Sequence, residues 1–386
     1  VHRHTTRRTV LGLAAAGALS VPLALSGAVS AGADELAPLH TVGASATGDY
    51  FVVLEDTLSA ASVTPSSLGI SSDQVNHTYD EVVNGYSASL SAAEVRELRG
   101  QSGVAYVEEV GVAHTTVTWG QDRIDQEDLP LDGSYGTTGD GAGVSAYIID
   151  SGIDASHPDF GGRASSAFDA YGGDGSDGNG HGTHVAGTIG SATYGVAPAA
   201  DLFGVKVLDD NGSGSYDDVI AGIDWVAANA GSNAVANLSL GGPSSPTLDE
   251  AVNGLAESGV FVAVAAGNEG QDAGNTSPGG AEGVTTVGAS DATDAAAVFS
   301  NHGPSVDIYA PGVDVESTVP GGGTDSYDGT SMASPHVAGA AALYKSVNGD
   351  DDQATIQDWL VSNAGVDKLS GVPAGTVNLL LNVQGL

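Results

Sequence analysis

The chain contains no cysteine. That excludes a disulfide framework and every thiolate metal site, so packing, hydrogen bonds or hard cations must hold the fold together. Basic residues are almost as scarce: ten Lys and Arg stand against 48 Asp and Glu, for a formal net charge of −38. Phosphate backbones need basic surface, so nucleic acid is excluded as a partner. From Thr116 onward there are 36 acidic and 5 basic residues, which places the acidity on a folded unit rather than a tail. Such a self-repelling surface keeps a protein soluble and monomeric but costs stability at low salt. A saline habitat is therefore the sharper reading. Long apolar runs are missing too: beyond the N-terminal stretch, no uninterrupted apolar span approaches the length a membrane helix needs.

Length allows two folded units and a leader in 386 residues. Arg7 and Arg8 precede the apolar "TVLGLAAAGALSVPLALSGAVSA", and Ala31-Gly32-Ala33 offers small residues for cleavage ahead of Asp34 and Glu35. Residues 1–33 thus read as a Tat-type signal peptide, and the processed protein as secreted, with no membrane partner. An anchor is the weaker reading, because the run is rich in Gly, Ser and Ala and broken by Pro22. Residues 34–49 read as a linker. "YFVVLED" (50–56), "EVVNGYSASLS" (81–91) and "VAYVEEV" (104–110) have strand character, and "AAEVRELRGQ" (92–101) has helical character, which together predict a small α+β domain. After Trp119 the pattern changes to short apolar runs at 144–150, 202–209, 235–242, 260–268, 284–290 and 306–312. Helix-period segments at 217–229 and 248–259 lie between them. This alternation predicts an α/β unit with a mostly parallel sheet and helices on both faces.

Ligands of such sheets bind at the carboxyl ends of the strands. Asp150 and Asn268 end two of the runs, which puts them where an active site would lie. Two further stretches carry chemistry: "GNGHGTHVAGTIG" around His181 and His184, and "DGTSMASPHVAG" around Ser331 and His336. A serine hydroxyl needs a base to become a nucleophile, and the base needs a carboxylate to orient it. An amide side chain and a backbone N–H can then meet the oxyanion. Taken singly, each residue has an ordinary reading. Ser331 could cap the alanine-rich helix that follows, with Pro335 in its first turn, Asp150 could cap a turn, and Asn268 between glycines could be a turn residue. His181 and His184 form a pair on one helix face and could bind zinc. The metalloprotease pattern, however, needs a four-residue spacing with a Glu beside the first histidine, where Gly182 stands.

Taken together, these stretches resemble the subtilisin-like serine peptidases, the proteinase K and aqualysin branch in particular. Residues 50–113 resemble the inhibitory I9-type propeptide of that family, and residues 114–386, from "WGQDRIDQEDLPLDGSYG" to "VNLLLN", resemble its catalytic domain. The resemblance implies a ferredoxin-like α+β propeptide ahead of a subtilisin-like α/β domain. It makes Asp150 the orienting carboxylate, His181 the base, Ser331 the nucleophile and Asn268 an oxyanion donor with the Ser331 N–H, leaving His184 and His336 structural. Substrate would add as a strand between Gly212-Ser213-Gly214 and Ser239-Leu240-Gly241, with Tyr216 at the rim of the S4 pocket and Leu240-Gly241 and Ala265-Ala266-Gly267 walling the S1 pocket. Those small apolar walls favour hydrophobic or aromatic P1 groups and broad endopeptidase action on proteins, and no acidic residue is expected at the S1 floor.

The resemblance further implies structural calcium, at one site through the Asp307 carboxylate and the carbonyls of Glu282 and Val284. A second site would use Asp122, Asp125 and Gln126 with Asp132 and Ser134, and a weaker cluster Asp174 and Asp177. It implies an inactive precursor whose propeptide inhibits in the same chain and is cut off between about Gly111 and Thr116. Relatives carry cysteines near Gly178, Asp210, Gly274 and Pro304; here calcium and packing would replace those disulfides.

Overall fold

The computed structural model of the chain describes residues 36–41, 46–55, 57–58, 62–111 and 117–386. The expected signal peptide and nearly all of the expected processing segment lie outside these. The chain divides into two compact units, Val1–Ala113 and His114–Leu386. Among the described residues, no helix is long and apolar enough to cross a membrane.

The first unit is a five-stranded sheet with one helix. Its strands are β1 (Leu39–His40), β2 (Ala46–Leu54), β3 (Val75–Tyr79), β4 (Gly85–Ser89) and β5 (Val104–Gly111), in the order β1-β5-β2-β4-β3. Helix α1 (Ala92–Leu98) starts at a reciprocal cap in which Ser91 Oγ accepts from Glu94 N and Glu94 Oε2 accepts from Ser91 N at 2.7 Å. Val95 and Leu98 of that helix pack on Val52, Leu54, Tyr86 and Val107. The segment expected as a linker is part of this sheet: β1 pairs in parallel with β5, and β2 already begins at Ala46. Neither the two-residue β1 nor the Ala46-Thr47-Gly48 start of β2 shows an apolar alternation in the sequence that would mark a strand.

The second unit runs α2 (Trp119–Ile124), β6 (Ser145–Asp150), β7 (Ala164–Asp169), α3 (His181–Gly190), β8 (Asp201–Lys206), α4 (Tyr216–Asn229) and β9 (Ala234–Leu238). It continues through β10 (Gly242–Pro243), α5 (Pro246–Glu257), β11 (Phe261–Ala265), β12 (Thr276–Ser277), β13 (Thr285–Ser290) and β14 (Ile308–Pro311). It closes with the hairpin β15 (Val315–Val319) and β16 (Gly323–Tyr327), then α6 (Thr330–Asn348), α7 (Gln353–Asn363), β17 (Gly365–Val366) and β18 (Leu379–Leu380). Nine strands form one sheet in the order β17-β18-β14-β13-β11-β9-β6-β8-β7, all parallel pairs except β17 with β18. Alternate residues of the central strands serve opposite cores. Ala146 and Ile148 face α3, α6 and α7, whereas Tyr147 and Ile149 face α4 and α5. From β6 the chain steps out to β7 and β8 on one side and returns to β9 on the other, so the order reverses at β6. The crevice at the carboxyl end of β6 is therefore the binding position of this fold.

Gly178 and Asp210 are neighbours in this fold, and so are Gly274 and the segment of Pro304. A Cβ on Gly178 would lie within 2.7 Å of the Asp210 carboxylate atoms, and one on Gly274 would lie 3.3 Å from Ser305 Oγ, next to Pro304. At the first pair stands an ion pair: Lys206 Nζ donates to Asp210 Oδ1 at 3.0 Å and to the Ser151 carbonyl at 2.6 Å.

Candidate active site

Asp150 is the last residue of β6 and fully buried. Its Oδ1 accepts from the Ser151 N–H and from His181 Nδ1, each at 2.7 Å, while Oδ2 is buried without a hydrogen-bond partner. His181 opens α3, and the helix can reach the end of β6 only because two glycines meet there. A Cβ on Gly182 would fall 2.2 Å from the Gly152 carbonyl oxygen. Gly180, ahead of the helix, offers no side-chain cap. Asp177 supplies it from four residues upstream: Oδ1 accepts from Gly180 N, Asn179 N and Ser151 Oγ, and Oδ2 from Thr183 N and Oγ1. A carboxylate at a helix N-terminus is favoured by the helix dipole as well. With five donors on its two oxygens, Asp177 serves as this cap, and the expected cation cluster with Asp174 does not form around it. Burial alone would push the His181 imidazole down, but the Asp150 charge and hydrogen bond, with help from Asp177, outweigh it and hold its pKa above the ordinary value.

Ser331 is the second residue of α6, so it does not occupy the capping position. Pro335 falls in the second turn rather than the first, and its missing N–H frees the Ser331 carbonyl. Ser239 Oγ fills the gap, donating to Ser331 O at 2.7 Å. It also accepts from Asn237 Nδ2 at 2.8 Å, and Asn237 Oδ1 accepts from Ser334 Oγ at 2.6 Å. The Ser331 hydroxyl itself donates to the Ser239 carbonyl at 3.2 Å, and no hydrogen bond joins it to His181. Such contacts are commonly loose before substrate binds.

Asn268 is exposed three residues past β11. Its Oδ1 accepts from Thr330 N at 2.8 Å and Thr330 Oγ1 at 2.9 Å, which leaves Nδ2 as the outward group. Asn268 Nδ2 and Ser331 N flank one point: a Cβ on Gly329 would lie 3.6 and 3.5 Å from them.

Two clefts meet at Leu240 and Gly241. One, of about 410 Å³, is walled by Ala265, Ala266, Gly267, Asn268 and Ser331. The other, of about 420 Å³, is walled by His181, Gly212, Ser213, Gly214, Tyr216 and Ser239. All expected substrate-binding residues thus line one continuous groove, although neither 212–214 nor 239–241 is a regular strand. Tyr216 ties its two sides, donating from its hydroxyl to Pro243 O at 2.7 Å. The first cleft is also lined by Glu269, a residue the sequence reading did not single out. Glu269 folds back, its Oε2 accepting from Asn268 N at 3.0 Å and Asn301 Nδ2 at 2.9 Å.

His184 and His336 lie outside the groove. His184 Nε2 meets the carbonyls of Val315 and Asp325 at 2.9 and 3.1 Å, and its ring stacks on Tyr327. His336 Nδ1 meets Met332 O at 2.8 Å, and its other edge faces Gly120. Burial pushes both pKa values down to about 4. No group of three or more His, Asp or Glu side chains that could hold a metal ion occurs among the described residues, so the zinc alternative has no site there.

The calcium expectations meet mixed geometry. Asp122 accepts from the N–H groups of Asp132 and Gly133, Asp125 from Gly136 N, Gln126 Oε1 from Asp132 N, and Asp132 from Ser134. Burial pushes the Asp125 carboxyl up to about 6, with Asp132 and Asp122 adding negative charge beside it. Asp307 accepts from Thr286 N at 2.8 Å, and burial pushes it up to about 6 as well. Burial disfavours the charged form of both carboxylates, but neither belongs to a group of three or more side chains among the described residues that could hold a metal ion, so a hard cation there would need main-chain oxygens as well. The main-chain carbonyls of Glu282 and Val284 accompany Asp307 by resemblance only.

Sequence reasoning passed over Thr330, Ser151, Asp177 as a cap, Glu269 and Asn301. Thr330 was detectable from its place beside Ser331; Asn301 had no local signal.

Known proteins match this arrangement. The model of the subtilase family of peptidases matches residues 141–385, and that of the peptidase inhibitor I9 family matches residues 48–115. The alkaline serine exoprotease A of Vibrio alginolyticus is 45% identical over 326 residues, covering 81% of this chain and 61% of that longer protein. Proteinase R of Parengyodontium album is 40% identical over 363 residues, covering 91% and 93%. A cold adapted subtilisin-like serine proteinase of known crystal structure is 47% identical with a TM-score of 0.69, covering 70% of this chain and 99% of that one. The chain belongs to the subtilase family of serine peptidases and carries an I9 inhibitor domain ahead of its peptidase unit.

Proposed function

We propose that this subtilase is a secreted, self-processing endopeptidase in which Ser331, His181, Asp150 and Asn268 carry the chemistry. The reading rests on the 2.7 Å pair of His181 and Asp150 at a groove whose other wall presents Ser331 and Asn268. Ser331 Oγ attacks the scissile carbonyl carbon while His181 Nε2 takes its proton, and the Asp150 charge stabilises the resulting imidazolium. Asn268 Nδ2 and the Ser331 N–H bond the oxyanion. Collapse breaks the C–N bond, with His181 returning the proton to the leaving amine. Water then repeats the sequence on the acyl-enzyme.

Small apolar walls at Leu240, Gly241, Ala265 and Gly267 favour hydrophobic or aromatic P1 groups. Glu269 disfavours acidic ones, and its internal hydrogen bonds weaken its pull on a basic one. The propeptide includes the strands from Leu39 onward and ends near 113, and the peptidase spans 114–386, with the cut near 111–116. A propeptide of this family supports inhibition of the enzyme by its own precursor segment. Calcium at Asp307 and at Asp122, Asp125 and Gln126 would supply positive charge beside the buried Asp122 and the half-buried Asp125 and Asp307. Export is supported by the twin-arginine leader and by the extracellular serine proteinase of a Thermus strain, 47% identical over 287 residues. Charge of this density supports salt adaptation; an activity maximum without added sodium chloride, with collapse above it, would refute that part.

Ser331→Ala tests the whole. The variant is expected to accumulate as an uncleaved precursor with propeptide and peptidase still joined on a gel. Normal maturation would overturn the assignment.

A further inference from the structure

An oxyanion donor must be in place before charge develops. Asn268, however, stands exposed on the stretch between β11 and β12, whose regular structure is confined to one short 3-10 turn and a single bridge from Asp272 to His302. We propose that Asn301 is a positioning residue that fixes this stretch and so sets where Asn268 Nδ2 stands. The proposal rests on the reading of Asn268 as an oxyanion donor.

Asn301 is fully buried and lies between β13 and β14, in a segment remote in sequence from Asn268. Every hydrogen bond of its side chain goes to the Asn268 stretch, on both sides of that residue. Nδ2 donates to Ala266 O and Glu269 Oε2, each at 2.9 Å, and Oδ1 accepts from Glu269 N at 3.1 Å and Gln271 N at 3.0 Å. The Asn301 backbone N–H adds a bond to Gly267 O at 2.9 Å. Glu269 extends the clamp to Asn268 itself, because the same Oε2 accepts from Asn268 N at 3.0 Å. The approach is close enough to dictate sequence: at Gly267, with φ of +102°, a Cβ would lie 2.3 Å from Asn301 Nδ2. A side chain that spends both donors and its acceptor on one irregular stretch, and nothing on the sheet, acts on what that stretch carries.

The test is a double-mutant cycle with a chromogenic peptide substrate, in which working sites are counted by titration with an irreversible serine reagent. Asn268→Ala is expected to lower kcat by about 10²-fold. Asn301→Ala should lower kcat about tenfold with KM changed less than about twofold, and cost less than about twofold once Asn268 is alanine. Asn301→Ser, which keeps one acceptor, should lose less and provides the measurement if the alanine variant fails to mature. Equal losses in both backgrounds, or a loss confined to KM or to thermal stability, would overturn the proposal while leaving Asn268 in its role. Wild-type kcat for Asn268→Ala would overturn the oxyanion reading itself.

Discussion

Pro335 in α6 leaves the carbonyl of Ser331, the proposed nucleophile, without its helical partner, and Ser239→Ala measures how that gap is filled. The proline cannot donate to the Ser331 carbonyl, and Ser239 Oγ does so at 2.7 Å while accepting from buried Asn237 Nδ2 at 2.8 Å. Alanine at 239 leaves both groups short of a partner in a site only 3% exposed at Ser239. A buried group left unpaired costs about 1–3 kcal/mol, so the pair should cost about 3 kcal/mol in all. For a unit of this size that corresponds to a fall in thermal midpoint of roughly 6 °C or more. Freed from its anchor, the Ser331 turn can drift by a fraction of an ångström, and kcat should fall on the order of tenfold with KM nearly unchanged. The assay is a thermal melt of the active-site-blocked enzyme beside steady-state kinetics, repeated in a Pro335→Ala background. Restoring the N–H at 335 gives Ser331 O an intrahelical partner, so the penalty of Ser239→Ala should shrink by about half there. An equal penalty in both backgrounds, or a midpoint and kcat within error of wild type, would refute the reasoning.

Two further outcomes follow from the electrostatics. The pKa of His181 is raised above its ordinary 6.5 because the Asp150 charge outweighs burial, so the acid limb of kcat/KM should fall above 6.5, since only the neutral ring accepts a proton. The charged pair stabilises the fold fully below the unfolded pKa and loses that contribution as pH rises through the folded one. An acid limb clearly below 6.5 would contradict the pair. Chelation with EDTA should lower the thermal midpoint: an ion at about 100 times its Kd contributes about 2.7 kcal/mol, or roughly 5–10 °C. An unchanged midpoint would remove calcium from the account of how a chain without disulfides is held.

What was legible in the sequence divides along a physical line. The six runs became β6, β8, β9, β11, β13 and β14 because strands buried on both faces are predominantly apolar, and α4 and α5 carried a helical period. The hairpin of β15 and β16 was invisible: β16, Gly323–Tyr327, is almost wholly exposed, so it has no apolar pattern to read. Placing Pro335 in the first turn failed because the helix starts at Thr330, not nearer the proline, and no sequence rule gives that boundary. Asp150, His181, Ser331 and Asn268 could be singled out because the proposed chemistry admits few other side-chain types at its four positions. Asp177 and Asn301, which hold the histidine helix and the Asn268 stretch, bond chiefly to backbone N–H and carbonyl groups, which every residue type offers alike. Such partners leave no complementary residue to search for, so the supports of an active site emerge only when the fold brings the two backbones together.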